Sequence, residues 1–224
     1  MIPLKEKIRL LFGKMYTIDE LTDFKSYDNY QDIKEKCKIV VIDDEDFPKY
    51  EQLKRRNYNI VKREDVFEIN DIRQYDIVIT DIRGVGSRLS DKLEGGAIVK
   101  EVKKNYPDKY VIIYSASQFD SCMNDVFHLA DDILKKDDDI ERWVDCIDNI
   151  INNIVDAKKC WIKYRNKLNE LKVSSKDIAY IEHLYVSSLL DKDNKLISVT
   201  CFEENVKPIV QSIIASYIFK VMGM

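Results

Sequence analysis

The chain has five cysteines, Cys37, Cys122, Cys146, Cys160 and Cys201, but no CxxC pair, and an odd number cannot all pair within one molecule. A reducing cytoplasm is the expected setting. There is no excess of positive charge either: 36 basic side chains face 40 acidic ones, for a formal net charge of −4 and a pI near 5.4. That balance gives no global reason to expect a nucleic-acid partner, so any basic surface must be local. Long apolar runs are also missing. From Met1 to Tyr16 the residues Ile2, Leu4, Ile8, Leu11, Phe12 and Met15 alternate with Lys5, Lys7, Arg9 and Lys14, unlike the unbroken core of a signal peptide. The most apolar tract, Ile209 to Met222, falls short of the roughly 20 residues that cross a bilayer. It also carries Lys220 and follows Lys207 and Pro208, so no membrane span is expected and the tract reads as a buried or partner-facing helix. Internal repeats and low-complexity linkers are absent.

What the chain does have is a set of short β-branched runs. Lys38 to Ile42, Tyr75 to Thr80 and Lys109 to Tyr114 are continuous apolar stretches of the kind that suit strands covered on both faces. Weaker strands are expected at Tyr58 to Val61 and Asp132 to Leu134. Helical segments fall between them: Phe47 to Arg56, with Pro48 suited to a first turn; Gly96 to Tyr106, with Ile98, Val99 and Val102 on one face; and a helix around Cys122 to Leu129. This alternation predicts a five-stranded, parallel, doubly wound α/β sheet over about residues 37–150. Residues 1–36 would form an N-terminal helical extension. From Ile140 onward the pattern is helical, with Trp143, Ile147, Ile150, Ile151, Ile154 and Val155 at helical spacings that extend toward Trp161 and Leu171. Ser174 and Asp177 resemble a capping pair opening another helix, and the polar stretch Asp191 to Lys195 ends it. Residues 151–224 are thus expected to be a helical output or dimerisation region.

In parallel sheets of this type, functional groups gather beyond the carboxyl ends of the strands, where the strand order reverses. Asp43 and Asp44 follow the first strand and Asp81 follows the third. Three carboxylates converging there would repel one another unless a cation sat among them, and a hard divalent ion such as magnesium accepts carboxylates, waters and phosphate oxygens. Ser115 ends the fourth strand and Lys136 follows the fifth. A hydroxyl and an ammonium aimed at the same cluster would stabilise the oxygens of a transferring phosphoryl group. Asp81 could then act as the nucleophile, since an aspartyl-phosphate needs no separate base.

Four segments carry a resemblance to the response-regulator receiver family: Val40 to Glu45 (VVIDDE), Ile77 to Arg83 (IVITDIR), Ile112 to Ser117 (IIYSAS) and Ala130 to Lys136 (ADDILKK). Each is weak alone, but four in the right order, each closing its own strand, are specific. The resemblance covers about half of the chain and implies a flavodoxin-like receiver. In it Asp81 accepts the phosphoryl group, and Asp43, Asp44, Asp81 and the backbone carbonyl of Arg83 bind Mg2+. Ser115 and Lys136 would contact the phosphoryl group, and a histidine kinase or other phosphodonor would supply it. The chain departs from the family pattern at four places: Ile82-Arg-Gly-Val-Gly86 stands where a turn with proline is usual, Ser87 to Glu94 read as an insertion, Ile133 replaces a frequent aromatic residue, and Asp137 replaces a proline.

Plainer readings compete at each position. Any one of these aspartates alone would be a turn former or helix cap. Lys135 is an alternative to Lys136, and Ser117 to Ser115. His183 is a phosphotransfer candidate whose ordinary reading is a surface or packing residue. The basic stretch Lys158, Lys159, Lys163, Arg165 and Lys167 around Trp161 is ordinarily a solvated helix face. Two further functions are kept beside the phosphoacceptor: a receiver-like adaptor that works without phosphorylation, and a haloacid-dehalogenase-like phosphatase using Asp44-Glu-Asp46, which leaves Asp81 without a role. With no effector signature after Ile150, the output is expected to be a protein contact or homodimer, not nucleic-acid binding.

Overall fold

The computed structural model describes residues 15–21, 30–90, 92–115, 123–193 and 206–222. Ala116, Ser117, Cys122, Cys201 and the chain before Met15 lie outside these residues. The chain divides into two compact units, one spanning Asn29–Asn152, the other combining Asn153–Met224 with Met1–Asp28.

The first unit is built on five strands: β1 (Lys38–Ile42), β2 (Asn59–Arg63), β3 (Ile77–Asp81), β4 (Tyr110–Ser115) and β5 (Asp132–Lys135). They form one sheet in the order β2-β1-β3-β4-β5, and every neighbouring pair is parallel. This is the doubly wound topology of flavodoxin-like receivers, with its switch point between β1 and β3. The apolar runs form strands because both faces of the sheet are covered: Ile39 to Ile42 and Ile77 to Ile79 are wholly shielded from solvent. On one side Val40, Ile42, Val78, Val111 and Ile113 pack against Ile98, Val99 and Val102.

The helices of this unit are α1 (Tyr30–Lys36), α2 (Tyr50–Arg55), α3 (Gly95–Asn105), α4 (Asn124–Phe127) and most of α5 (Ile140–Val155), whose last three residues fall past the boundary at Asn152. Between β2 and β3 there is only a 3-10 turn, Ile69–Ile72, closed by a reciprocal Glu68–Asp71 capping box. Two expectations need correcting here. Helix α2 begins at Tyr50, so Pro48 lies in the turn before it, where the chain carries Phe47 into the core. The strand register also puts Asp81 inside β3 as its last residue, opposite Tyr114.

The second unit contains α6 (Ala157–Glu170), α7 (Ser175–Asp191) and α8 (Lys207–Met222), with a 3-10 turn at Ile18–Leu21. The helical pattern that the sequence carries through Val155 is interrupted at Asp156, whose carboxylate accepts from the Lys159 N–H and caps α6. Ser174 caps α7 by accepting from Asp177 N–H at 3.2 Å. Helix α7 closes at Lys192, which takes the left-handed conformation of a C-terminal cap. Trp161, Leu168, Ile181, Tyr185 and Ile213 form the core of this unit. His183 belongs to that packing: its Nδ1 accepts from Tyr16 N–H at 3.0 Å and its ring stacks on Tyr16, while Glu182 accepts from Ile18 N–H. Trp161 is fully buried, so the basic residues around it lie on a helix whose apolar side faces inward. Among the described residues, no helix is long and apolar enough to cross a membrane.

Candidate functional site

The parallel register brings the ends of β1 and β3 side by side, and with them the acidic residues. Ile42 pairs with Thr80, so Asp43 leaves β1 beside Asp81. Oxygens of Asp43, Asp44 and Asp81 lie within 4.8 Å of one another. Asp43 and Asp81 are buried, whereas Asp44 is exposed at the rim. Asp46 is not part of the cluster.

Each buried carboxylate is held by its surroundings. Asp81 Oδ1 accepts from the N–H groups of Ile82, at 2.6 Å, and Arg83, at 3.4 Å. These bonds fix the carboxylate against its own turn and leave Oδ2 to face Lys136, whose Nζ stands 2.5 Å away. Asp43 Oδ1 accepts from Glu45 N–H at 2.9 Å, and its Oδ2 accepts from the hydroxyl of Tyr114. Lys136 is within 3.9 Å of Asp43 and 3.7 Å of Glu45 as well. Burial alone would lower the pKa of this ammonium, but the Asp81 hydrogen bond and the charges of Asp81, Asp43 and Glu45 outweigh it and hold the lysine above its ordinary value. Lys136 is therefore a firmly cationic group in contact with the carboxylate of Asp81. Its neighbour Lys135 is exposed and pairs with Ser115 in the strand register.

Ser115 closes β4 one residue beyond the partner of Asp81, and its carbonyl accepts from Lys136 N–H at 3.2 Å, tying the ends of β4 and β5 together. Two glycines shape the turn after Asp81. Gly84 has φ +77°, and a Cβ there would run into the Asp44 carboxylate; a Cβ on Gly95 would strike the Asp81 carbonyl, so α3 approaches β3 at backbone distance. The longer loop before α3 is tied back by Asp65, which accepts from Gly86 N–H at 2.6 Å, while the Arg88 guanidinium lies 4.1 Å over the Phe67 ring.

Two participants escaped the reading of the sequence. Tyr114 looks like one more apolar residue of a buried strand, and Glu45 like a solvated turn residue. A tyrosine one place before a strand's polar terminus was the only available signal, because a buried phenol usually needs a partner for its hydroxyl. That hydroxyl is raised in pKa by burial and by its bond to Asp43 and so remains a donor.

Among solved structures, the chain is similar to a response regulator from Thermotoga maritima, with 16% identity over 52% of this chain and 98% of that one, at a TM-score of 0.43. It is similar to the BeF3-activated DrrB receiver domain, with 18% identity over 52% and 97% at a TM-score of 0.41. The response regulator TrrA from Thermotoga maritima, in complex with Mg(2+)-BeF, is 22% identical over 51% and 98% at a TM-score of 0.39. The matches thus take in about half of this chain and nearly all of each receiver. At these identities and scores they add nothing to what the strand order establishes. No protein-family model and no curated protein matches the chain. Fold and site together define an α/β unit of receiver topology with an acidic cluster and a lysine at its switch point.

Proposed function

We propose that the α/β unit is a phosphoacceptor receiver in which Asp81 takes a phosphoryl group from a histidine kinase or another phosphodonor. The observation that carries this reading is Lys136 Nζ at 2.5 Å from Asp81, within a cluster formed with Asp43 and Asp44 at the sheet's switch point. In the reaction an Asp81 carboxylate oxygen attacks phosphorus. The new O–P bond forms as the donor's bond to phosphorus breaks, and the leaving group departs with that electron pair. Lys136 neutralises charge on the phosphoryl oxygens as they pass, and the Ser115 hydroxyl is assigned the same task from the adjoining strand end.

The cluster fits a hard divalent cation: three carboxylates within 4.8 Å is a donor set that magnesium accepts, and their mutual repulsion favours one. Asp43, Asp44, Asp81 and the carbonyl of Arg83 would hold Mg2+, which supplies charge neutralisation around the transferred group. A phosphatase built on Asp44 and Asp46 is disfavoured because Asp46 stands outside the cluster and Asp81 lies within it.

The output is assigned to protein contacts made by the helical unit, in a cytoplasmic signalling protein. No effector signature follows Ile150, and that absence favours a protein contact over a nucleic-acid or enzymatic output. Incubation of the full chain with a small phosphodonor and Mg2+ should add one hydroxylamine-labile phosphoryl group and alter self-association measured by light scattering. Labelling that is unaffected by chelation of divalent ions would contradict the proposed pocket.

A further inference from the structure

We infer that Tyr114 is a positioning residue for the acidic pocket, its hydroxyl fixing Asp43 for the cation and its ring carrying the state of that carboxylate to Trp143 on α5. The inference rests on the receiver reading above and extends it to a residue outside the acidic, hydroxyl and lysine positions.

The geometry is specific. Asp43 has no solvent exposure, so protein groups and not bulk water satisfy its carboxylate before a cation binds. Glu45 N–H engages Oδ1 and the Tyr114 hydroxyl engages Oδ2, so both oxygens carry a donor before any cation arrives. Each carboxylate oxygen has two acceptor sites, which leaves capacity on both for a metal. A carboxylate restrained in this way loses little freedom on binding a cation, which raises affinity without adding a contact to it.

Tyr114 is itself restrained. Its ring meets Phe47 edge-on at 5.3 Å and Trp143 at 5.5 Å, and Phe47 and Trp143 meet each other at 5.1 Å. All three rings are buried, so the phenol cannot swing away without repacking the other two. Lys136 Nζ lies 5.5 Å from the Tyr114 ring centroid, which places one tyrosine against groups on both sides of Asp81. Trp143 is fully buried, and its Nε1 has no hydrogen-bond partner among the described residues. Packing alone sets its position, so a displacement of Tyr114 must change the indole's surroundings.

The test uses the full chain and Mg2+ alone, with binding followed by calorimetry and by tryptophan emission. Tyr114→Phe keeps the ring and removes the donor. It should weaken Mg2+ binding about fivefold, the order expected when part of a hydrogen bond to a charged group is lost. Phosphoryl uptake should slow at limiting Mg2+ and recover at saturating Mg2+, whereas a merely structural defect would depress it at every concentration. Trp143→Phe should leave Mg2+ affinity near that of the parent and abolish the metal-induced emission change. Unchanged or tighter Mg2+ binding by Tyr114→Phe would overturn the assignment. So would a Trp143→Phe variant that loses as much affinity, because packing and not the hydroxyl would then hold Asp43. If the parent binds Mg2+ but takes up no phosphoryl group, the receiver reading fails and the titrations still decide the role of Tyr114.

Discussion

The two ends of the same sheet use the same residue types for different purposes. At the amino ends of the strands, Lys109 is buried and donates to the carbonyls of Arg73, at 2.8 Å, and Tyr75, while Asp76 accepts from Lys38 N–H at 2.8 Å. These charged groups bind backbone, and they close off a sheet edge that would otherwise leave polar atoms unsatisfied. At the carboxyl ends, Lys136 faces Asp81 directly, and three carboxylates crowd within reach of one cation. An aspartate and a lysine at the end of a strand therefore do not define a site. What distinguishes the carboxyl end is that its charges face one another across an accessible rim instead of being absorbed by the main chain.

Replacing the lysine at each end should separate the two roles. Lys136→Met removes the ammonium beside Asp81 and is expected to slow phosphoryl uptake about a hundredfold, the order seen when one donor to a developing charge is lost. Its thermal unfolding in Mg2+ should stay close to that of the parent. Stopped uptake assays and calorimetric melts check both parts. Lys109→Met should do the reverse, destabilising the fold by about 2–3 kcal/mol because the buried carbonyl of Tyr75 and the partly buried one of Arg73 lose their donor. Chemical denaturation measures that loss, and the rate of uptake per folded molecule should be unchanged.

Asp76→Asn gives the smallest effect, because the amide oxygen can still accept from Lys38 N–H. Burial raises the Asp76 carboxyl above its ordinary value, against the lowering influence of the Lys38 bond and the charge of Lys109. A carboxyl raised in the folded state contributes its stability below the unfolded pKa and loses it as pH climbs through the folded one. The variant should therefore gain on the parent as pH rises above about 4, the ordinary aspartate range. Denaturation midpoints taken across that range test the sign.

The strands were legible because β-branched runs covered on both faces leave a continuous apolar signature, and the residues at their ends follow from register once the sheet is parallel. The limits of the helices were less so. Asp156 splits two helices whose apolar spacing continues across it, and only its capping bond to Lys159 reveals the break. Pro48 suits a first helical turn, yet the need to bury Phe47 beside Tyr114 and Trp143 delays α2 to Tyr50. Ile69–Ile72 is too short to show a helical period. The cluster of Asp43, Asp44, Asp81 and Lys136 could be foreseen from strand ends, whereas the bond from Tyr114 to Asp43 spans 71 positions and follows from no local pattern.

One substitution at each end of the sheet separates a phosphoacceptor from a structural aspartate. The parent, Asp81→Asn and Asp76→Asn are incubated with the same small phosphodonor and Mg2+, and the phosphoryl content of each is read by intact-mass spectrometry. One phosphoryl group is expected on the parent and on Asp76→Asn, and none on Asp81→Asn. Equal labelling of Asp81→Asn and the parent would contradict the phosphoacceptor role of Asp81.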